Sequence, residues 1–257
     1  MKSFTKVIQV LNCISYSDIG LRITEISSKL SIPISTVHRI LNTLSHYSLV
    51  YKEKETLRYR LGVQILKYAN SFYRSLDLSR DSKQSMEEIS IHTGLTVFLS
   101  IWQDAKVICI DSVKSSQNTN TYSLFVELGK TMPFHCAASA KIILAYQSSD
   151  IISTILNQSA LQKYTSKTIV NSKELIEQLK IIKSQNFAVC DEELEEGIRA
   201  ISAPIKNDND KTIASITVTG LVNKIPKEKD KHFAKIVIEA ANDISHKIGY
   251  REISNYN

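Results

Sequence analysis

Cysteine is scarce in this 257-residue chain, and its four copies, Cys13, Cys109, Cys136 and Cys190, are too dispersed to form a CxxC pair. Neither a disulfide framework nor a zinc motif follows from that spacing, and reduced, buried thiols are expected. No stretch approaches the roughly 18 uninterrupted apolar residues of a membrane span. The opening MKSFTKVIQVLNC has no signal-peptide cleavage pattern, so a cytoplasmic protein without a membrane partner is expected. Internal repeats and low-complexity tracts are also missing. What is present, 43% hydrophobic and 23% charged residues, is the composition of an ordinary globular protein of one to two domains.

Acid is in short supply in one region only. Residues 1–77 hold 11 Lys/Arg against 5 Asp/Glu, whereas residues 78–257 hold 21 of each, so the whole net charge of +6 lies in the first third. Such asymmetry implies that the first third meets a polyanion and the remainder does not.

The periodicity of that first third fits its charge. SFTKVIQVLNCIS places Phe4, Val7, Ile8, Val10, Leu11 and Ile14 on one side of a helix. RITEISSKLS offers Thr24 as an N-cap before a short helix with Ile26 and Leu30 inward. SIPISTVHRILNTL then puts Ile34, Val37, Ile40, Leu41 and Leu44 on a third helix's apolar face, with Pro33 suited to its start. Two short strands, 49–52 and 57–61, follow around a charged turn. Three helices and a hairpin make a winged helix-turn-helix over 1–62, and the unbroken pattern over 63–77, with Val63, Leu66, Ala69 and Leu76 along one side, reads as a stiff linker helix. Residues 78–257 alternate between helices (79–92, 137–147, 150–156, 172–185, 226–248) and strands (95–102, 106–113, 121–127, 186–190, 198–206, 212–221). That mixture indicates an α/β domain with a largely antiparallel sheet, and an α+β chain overall.

The polar face of the third helix carries Ser35, Thr36, His38, Arg39 and Asn42 and no acid. A solvated face tolerates any mixture of Glu and Lys. Arg donates a bidentate pair to guanine, Asn pairs with adenine, and hydroxyls hold phosphate oxygens, so this set favours contact with double-stranded DNA. His38 also fits a place beside the first helix. The hairpin adds Lys52, Lys54, Arg58 and Arg60 as phosphate contacts, diluted by Glu53 and Glu55.

Two later passages attract notice. GKTMPFHCAASAKIILAY sets small residues at a strand-to-helix junction, where free N–H groups suit an anion or where close helix packing needs them; both readings stand. His135 and Cys136 resemble a thiol nucleophile and its base, yet no third group completes the arrangement, and a core histidine beside a buried cysteine is the favoured reading. A redox or metal sensor using His135, Cys136 and Cys190 is the rival reading, and an enzyme built on Cys136 or the acidic cluster is the more remote one. AVCDEELEEGIRAISAPI packs Asp191, Glu192, Glu193, Glu195 and Glu196 into six positions, which reads as a solvated turn partly neutralised by Arg199 rather than a metal site.

ITEISSKLSIPISTVHRILNTL, RYRLG, LGKTMPFHCAASAKIILA, DEELEEGIRAISAPI and ASITVTG, in this order, make the chain resemble IclR-type transcriptional regulators over nearly its full length. The resemblance implies a winged-helix DNA-binding domain with recognition helix 34–47, a linker helix, a GAF-like effector-binding domain, and no catalytic residue, metal or cofactor. It implies homodimers on palindromic DNA, commonly dimers of dimers, acting in the main as repressors of catabolic operons. Positions matching the family's contacts to small carboxylates are Ala138, Ser139, Cys190, Ala200, Thr217 and Thr219. Cys190 stands where such members often have Asp, and Ala200 where they usually have Cys. These departures point away from glyoxylate or pyruvate and leave room for another organic acid or a sugar acid; the tail HKIGYREI is somewhat similar to regulators of sugar-acid catabolism.

Overall fold

The computed structural model describes residues 2–75, 77–114, 127–158 and 160–250, and the chain divides into two compact units, Met1–Leu76 and Asp77–Asn257. Positions 121–126 of the strand expected at 121–127 lie outside the described residues, as does the side chain of Leu76.

The first unit contains α1 (Lys2–Ser15), α2 (Ile23–Leu30), α3 (Ile34–His46), the hairpin β1 (Val50–Lys52) and β2 (Tyr59–Leu61), and α4 (Val63–Ser75). Its core gathers Val10 and Ile14 of α1, Ile26 of α2, Val37, Ile40, Leu41 and Leu44 of α3, and Val50 and Tyr59 of the hairpin. Each such side chain contributes roughly 1.5–3 kcal/mol on burial. Three positions on these helices depart from the expected apolar faces. Phe4 and Ile8 are 80% and 56% exposed, and Ile34 is half exposed, because no neighbouring element covers these positions.

Arg22, not Thr24, is the N-cap of α2; its backbone N–H donates to Glu25 Oε2 at 2.6 Å. Glu25 thus satisfies a donor that a helix start leaves without an internal partner. The hairpin is held by close backbone approaches. Gly20 has φ +74°, and a Cβ there would lie 2.8 Å from both Tyr59 O and Arg60 Cγ, beside the bridge from Leu21 to Tyr59. The strands are shorter than expected, and Leu57, φ +57°, is an exposed turn residue.

The second unit contains α5 (Asp77–Thr93), β3 (Thr96–Gln103), β4 (Lys106–Val113), α6 (Ala138–Ala145), α7 (Ser149–Gln158), α8 (Ser172–Gln185), β5 (Ala188–Asp191), β6 (Ile198–Lys206), β7 (Thr212–Leu221), a 3-10 turn (Lys227–Lys229) and α9 (Asp230–Lys247). The strands form one antiparallel sheet in the order β4-β3-β7-β6-β5. Asp104 and Ala105, both at positive φ, make the two-residue turn between β3 and β4. Strand β5 starts two residues later than the sequence pattern suggests, because Asn186, φ 63°, closes α8.

Helices α5 and α9 pack on one sheet face, tied by Ser85 Oγ donating to Asp243 at 2.9 Å. Helix α6 covers the other face, with Phe98, Cys190 and Ala200 pointing to it, and α8 packs on α6. Every residue of α6 is buried. Its small side chains let the helix lie close to the sheet, where Ser215 Oγ donates to the carbonyl of Ser139 at 3.2 Å.

Candidate nucleic-acid interface and ligand cavity

Helix α3 begins after three residues, Ser31 to Pro33, that follow α2, the tight connection of a helix-turn-helix pair. Pro33 is the N-cap and its carbonyl accepts from Thr36 and Val37, which leaves the first N–H groups of α3 pointing outward. Ser35, His38, Arg39 and Asn42 are exposed and Thr36 is half-buried. All five therefore stand on the surface opposite the buried Val37, Ile40, Leu41 and Leu44. His38 faces solvent rather than α1; its Nδ1 is 3.3 Å from Asn42 Nδ2, an i, i+4 pair that orders the carboxamide. Arg39 has no ion pair or side-chain hydrogen bond among the described residues.

The hairpin cations divide into two sets. Arg58 donates to Gly20 O at 2.8 Å and to Glu25 Oε2 at 3.0 Å, and Arg60 donates to Asp18 O at 3.0 Å. Both guanidinium groups hold contacts within the domain, Arg58 more fully than Arg60, whose side chain is a third exposed. These contacts fasten the hairpin to the rest of the unit; Glu25, whose carboxyl is held low chiefly by the Arg22 N–H and then by Arg58, anchors Arg58, while Arg60 Nε also lies 3.8 Å from Glu53. Lys52 and Lys54 remain exposed.

In the second unit a cavity of about 270 Å³ opens where α6 begins. Phe98, Cys190, Ala200 and Thr219 reach it from the sheet, Ala137 and Ala138 from the start of α6, and Leu194, Glu195 and Ile198 from the acidic turn and the start of β6. Lys130 to Pro133 and Tyr164 complete the wall. Ala137 caps α6 without a side-chain acceptor, and since the Ala140 and Lys141 N–H groups donate to Ala137 O, the N–H groups that face an anion here are those of Ala138 and Ser139. The walls are mostly apolar. Thr219 Oγ1 donates to Arg199 O at 3.1 Å, leaving its lone pairs to accept.

Four of the six residues marked by resemblance, Ala138, Cys190, Ala200 and Thr219, line this cavity; Ser139 and Thr217 do not. Thr217 is wholly buried with Oγ1 2.8 Å from Ser202 Oγ, and Ser139 is wholly buried with its hydroxyl unpartnered among the described residues. Each sits on the correct element but is turned into the seam between α6 and the sheet, away from the cavity.

Sequence reasoning passed over Lys130, Tyr164 and, above all, Lys141. Lys141 is fully buried, and its Nζ donates to Glu193 Oε1 and Oε2 at 2.6 and 2.7 Å. The signal was a single charge in the otherwise uncharged, largely apolar helix ASAKIILA, which can be buried only against an opposite charge. The acidic passage is accordingly not a solvated turn. Asp191 accepts from Arg199 Nε at 2.7 Å, Glu192 accepts from Lys167 Nζ at 2.6 Å and from the Gly197 N–H, and Glu193 takes Lys141. Arg199, itself buried, also reaches Ile225 O and Asp230, joining the sheet to α9. Glu195 alone of the five acids lines the cavity; burial pushes its carboxyl up, with Lys130 opposing.

His135 Nε2 lies 2.8 Å from Gln162 O and the ring stacks on Tyr164, a satisfied core histidine. Burial pushes the thiols of Cys136 and Cys190 upward and that of Cys109 to about 12, the reverse of what a reactive thiolate needs. Among the described residues no three His, Cys, Asp or Glu side chains converge as they would to hold a metal ion. No helix among them is long and apolar enough to cross a membrane.

Comparison with known proteins identifies the family of both units. Residues 3–54 match the IclR helix-turn-helix domain, and residues 71–246 match the bacterial transcriptional regulator IclR C-terminal domain. The chain is 27% identical over 253 residues to the HTH-type transcriptional regulator KdgR of Dickeya chrysanthemi, covering 98% of this chain and 81% of that one. It is 26% identical over 247 residues to the transcriptional repressor IclR of Escherichia coli strain K12, covering 95% and 89% respectively. An IclR homolog from Microbacterium hydrocarbonoxydans, solved in complex with 4-hydroxybenzoate, shares the fold with a TM-score of 0.83 at 16% identity, over 96% of this chain and 98% of that one. The protein belongs to the IclR family of transcriptional regulators, with an N-terminal helix-turn-helix domain and a C-terminal α/β domain.

Proposed function

We propose that this protein is a ligand-responsive, non-enzymatic repressor of a catabolic operon, cytoplasmic, that binds a palindromic operator through α3 and an organic acid or sugar acid in the cavity at the start of α6. The observation that carries the reading is the coexistence of an exposed, acid-free face on α3 with a mostly apolar cavity at an uncapped helix start. Ser35, Thr36, His38, Arg39 and Asn42 are its groove and phosphate contacts, with Lys52 and Lys54 on backbone phosphates. Ala138, Cys190, Ala200 and Thr219 contact the effector, whose carboxylate is received by the first-turn N–H groups and Lys130.

A helix-turn-helix dimer presents its recognition helices roughly 34 Å apart, one helical turn of DNA. Exposed Phe4 and Ile8 on α1 and Val63 and Leu66 on α4 support a subunit interface in the first unit, since apolar patches of this kind are usually covered by a partner. A homodimer, paired into a dimer of dimers, follows from this reading. The effector shifts the equilibrium between two placements of the DNA-binding domains by its differential affinity for them, transmitted along the linker helix.

A thermal-shift screen of organic and sugar acids, with 4-hydroxybenzoate included because a relative holds it, tests the effector half. A bound acid raises the midpoint by adding about 2.7 kcal/mol of stability at 100 times its dissociation constant, and releases operator DNA. If no acid raises the midpoint, or if a binding acid leaves DNA affinity unchanged, the effector reading falls.

A further inference from the structure

Three of the stretches that wall the cavity each lie within a helical turn of one member of a single polar cluster. Ala138 lies one turn before Lys141 on α6, Tyr164 precedes Thr165, and Leu194 and Glu195 follow Glu193. Inside the cluster Lys141 Nζ is shared between both oxygens of Glu193, Thr168 Oγ1 donates to Glu193 O at 2.6 Å, and Thr165 Oγ1 donates to Glu192 O at 2.7 Å. The Asp191 N–H also donates to Glu193 Oε1 at 3.3 Å. The ion pair is dry, its two side chains being 0% and 8% exposed, and it links α6 to the acidic turn.

A dry ion pair is a poor device for stability alone, because well-packed apolar groups of the same volume usually do as well. What it supplies is direction: two short charge-assisted hydrogen bonds fix one ammonium against one carboxylate, whereas apolar contacts slide. We propose that the Lys141–Glu193 pair is a positioning element for the cavity, holding the acidic turn at a fixed height over the start of α6 so that Leu194 and Glu195 face Ala137 and Ala138. This rests on the reading of the cavity as the effector site. Neither residue touches the ligand; both act through the wall residues beside them. A ligand that spans α6 and the acidic turn therefore meets a preformed slot rather than assembling one.

The test is hydrogen exchange read by mass spectrometry on the full-length protein and on Lys141→Met/Glu193→Gln, which keeps both volumes and leaves no buried charge unpaired. Amides of residues 163–168 and 192–197 are expected to exchange at least tenfold faster than in the wild type, with residues 230–247 of α9 unchanged and thermal unfolding still cooperative. Unchanged exchange in the two wall segments overturns the proposal, as does equal acceleration in α9, which is the signature of a pair that serves only global stability. Should the double variant fail to fold, Glu193→Asp, which keeps both charges and shortens the acidic arm by one methylene, is expected to speed the same two segments at least threefold, under the same two contrary outcomes. The effector screen on the wild type is read separately: a screen without hits removes the effector reading, while the exchange rates still decide whether the pair sets the wall.

Discussion

Lys141 and Glu193, 52 residues apart, meet in the interior of the second unit with Nζ 2.6 and 2.7 Å from the two carboxylate oxygens. Breaking a buried pair on one side leaves a charge with neither water nor partner. Lys141→Met is expected to destabilise this unit by about 3–5 kcal/mol, whereas Lys141→Met/Glu193→Gln restores most of that. Chemical denaturation of the three proteins checks the order; a single variant no weaker than the double shows that the pair is not shielded from water.

The hairpin cations separate by experiment as they do by geometry. Lys52→Ala and Lys54→Ala are expected to leave the thermal midpoint in place and each to reduce the slope of log affinity against log salt by about 1. Arg58→Ala instead removes the anchor on Glu25 and Gly20 and is expected to lower stability of the winged-helix unit. Salt titrations of DNA binding beside melting curves distinguish these; a lost salt increment with unaltered melting for Arg58→Ala would place its guanidinium on phosphate after all.

Ser139 and Ala138, neighbours on α6, are expected to respond in opposite ways. Ser139 has a buried hydroxyl without a partner, and Ser139→Ala removes a group whose unsatisfied burial costs about 1–3 kcal/mol, so it raises the midpoint and spares effector binding. Ala138→Leu fills the cavity from its wall and abolishes the effector-induced thermal shift. Calorimetric titration of both variants settles it, and loss of effector binding in Ser139→Ala would return that residue to the site.

Acid is expected to act on the second unit with a definite sign. The carboxyl of Asp243 is lowered chiefly by its hydrogen bond to Lys247, with Ser85 adding, and that of Glu192 chiefly by Lys167. A carboxylate lowered in the folded state stabilises fully above its unfolded pKa of about 4, and that contribution is lost as pH falls through the folded value. Glu195 has the opposite sign: raised by burial, it favours folding below its unfolded pKa and opposes it as pH rises through the folded value. Glu195→Gln is therefore expected to raise the midpoint at pH 7 and to change nothing at pH 3. Melting curves at the two pH values check this; a lowered midpoint at pH 7 would show the carboxylate to be favourably paired.

How much of this was legible depended on whether a feature is local. Strands β6 and β7 and helix α8 fall where their β-branched runs and helical spacing put them, because pattern and burial agree there. The face of α3 was legible for the same reason. Phe4 and Ile8 were misplaced because periodicity marks an apolar side without saying whether anything covers it. The internal partners of Arg58 and Arg60 were not legible because basic type is local while Glu25 and Asp18 are brought near only by the fold. The pairing with Arg199 was legible because it lies in the same passage, but the acidic turn was otherwise misjudged since its other two cations, Lys141 and Lys167, come from separate segments. Ser139 and Thr217 stand on the expected elements, but which hydroxyls reach the cavity is set by how deeply α6 settles on the sheet.

Selection of duplexes from a random pool, followed by sequencing, measures most directly whether the acid-free face of α3 reads DNA. The wild type is expected to enrich a palindrome whose half-sites lie about one helical turn apart. Arg39→Ala, which removes an exposed side chain outside the core, is expected to fold normally and to lose about 1–3 kcal/mol of discrimination at one base pair of each half-site. No enriched motif, or the same motif with equal preference in wild type and Arg39→Ala, would contradict the assignment of α3 as the reader.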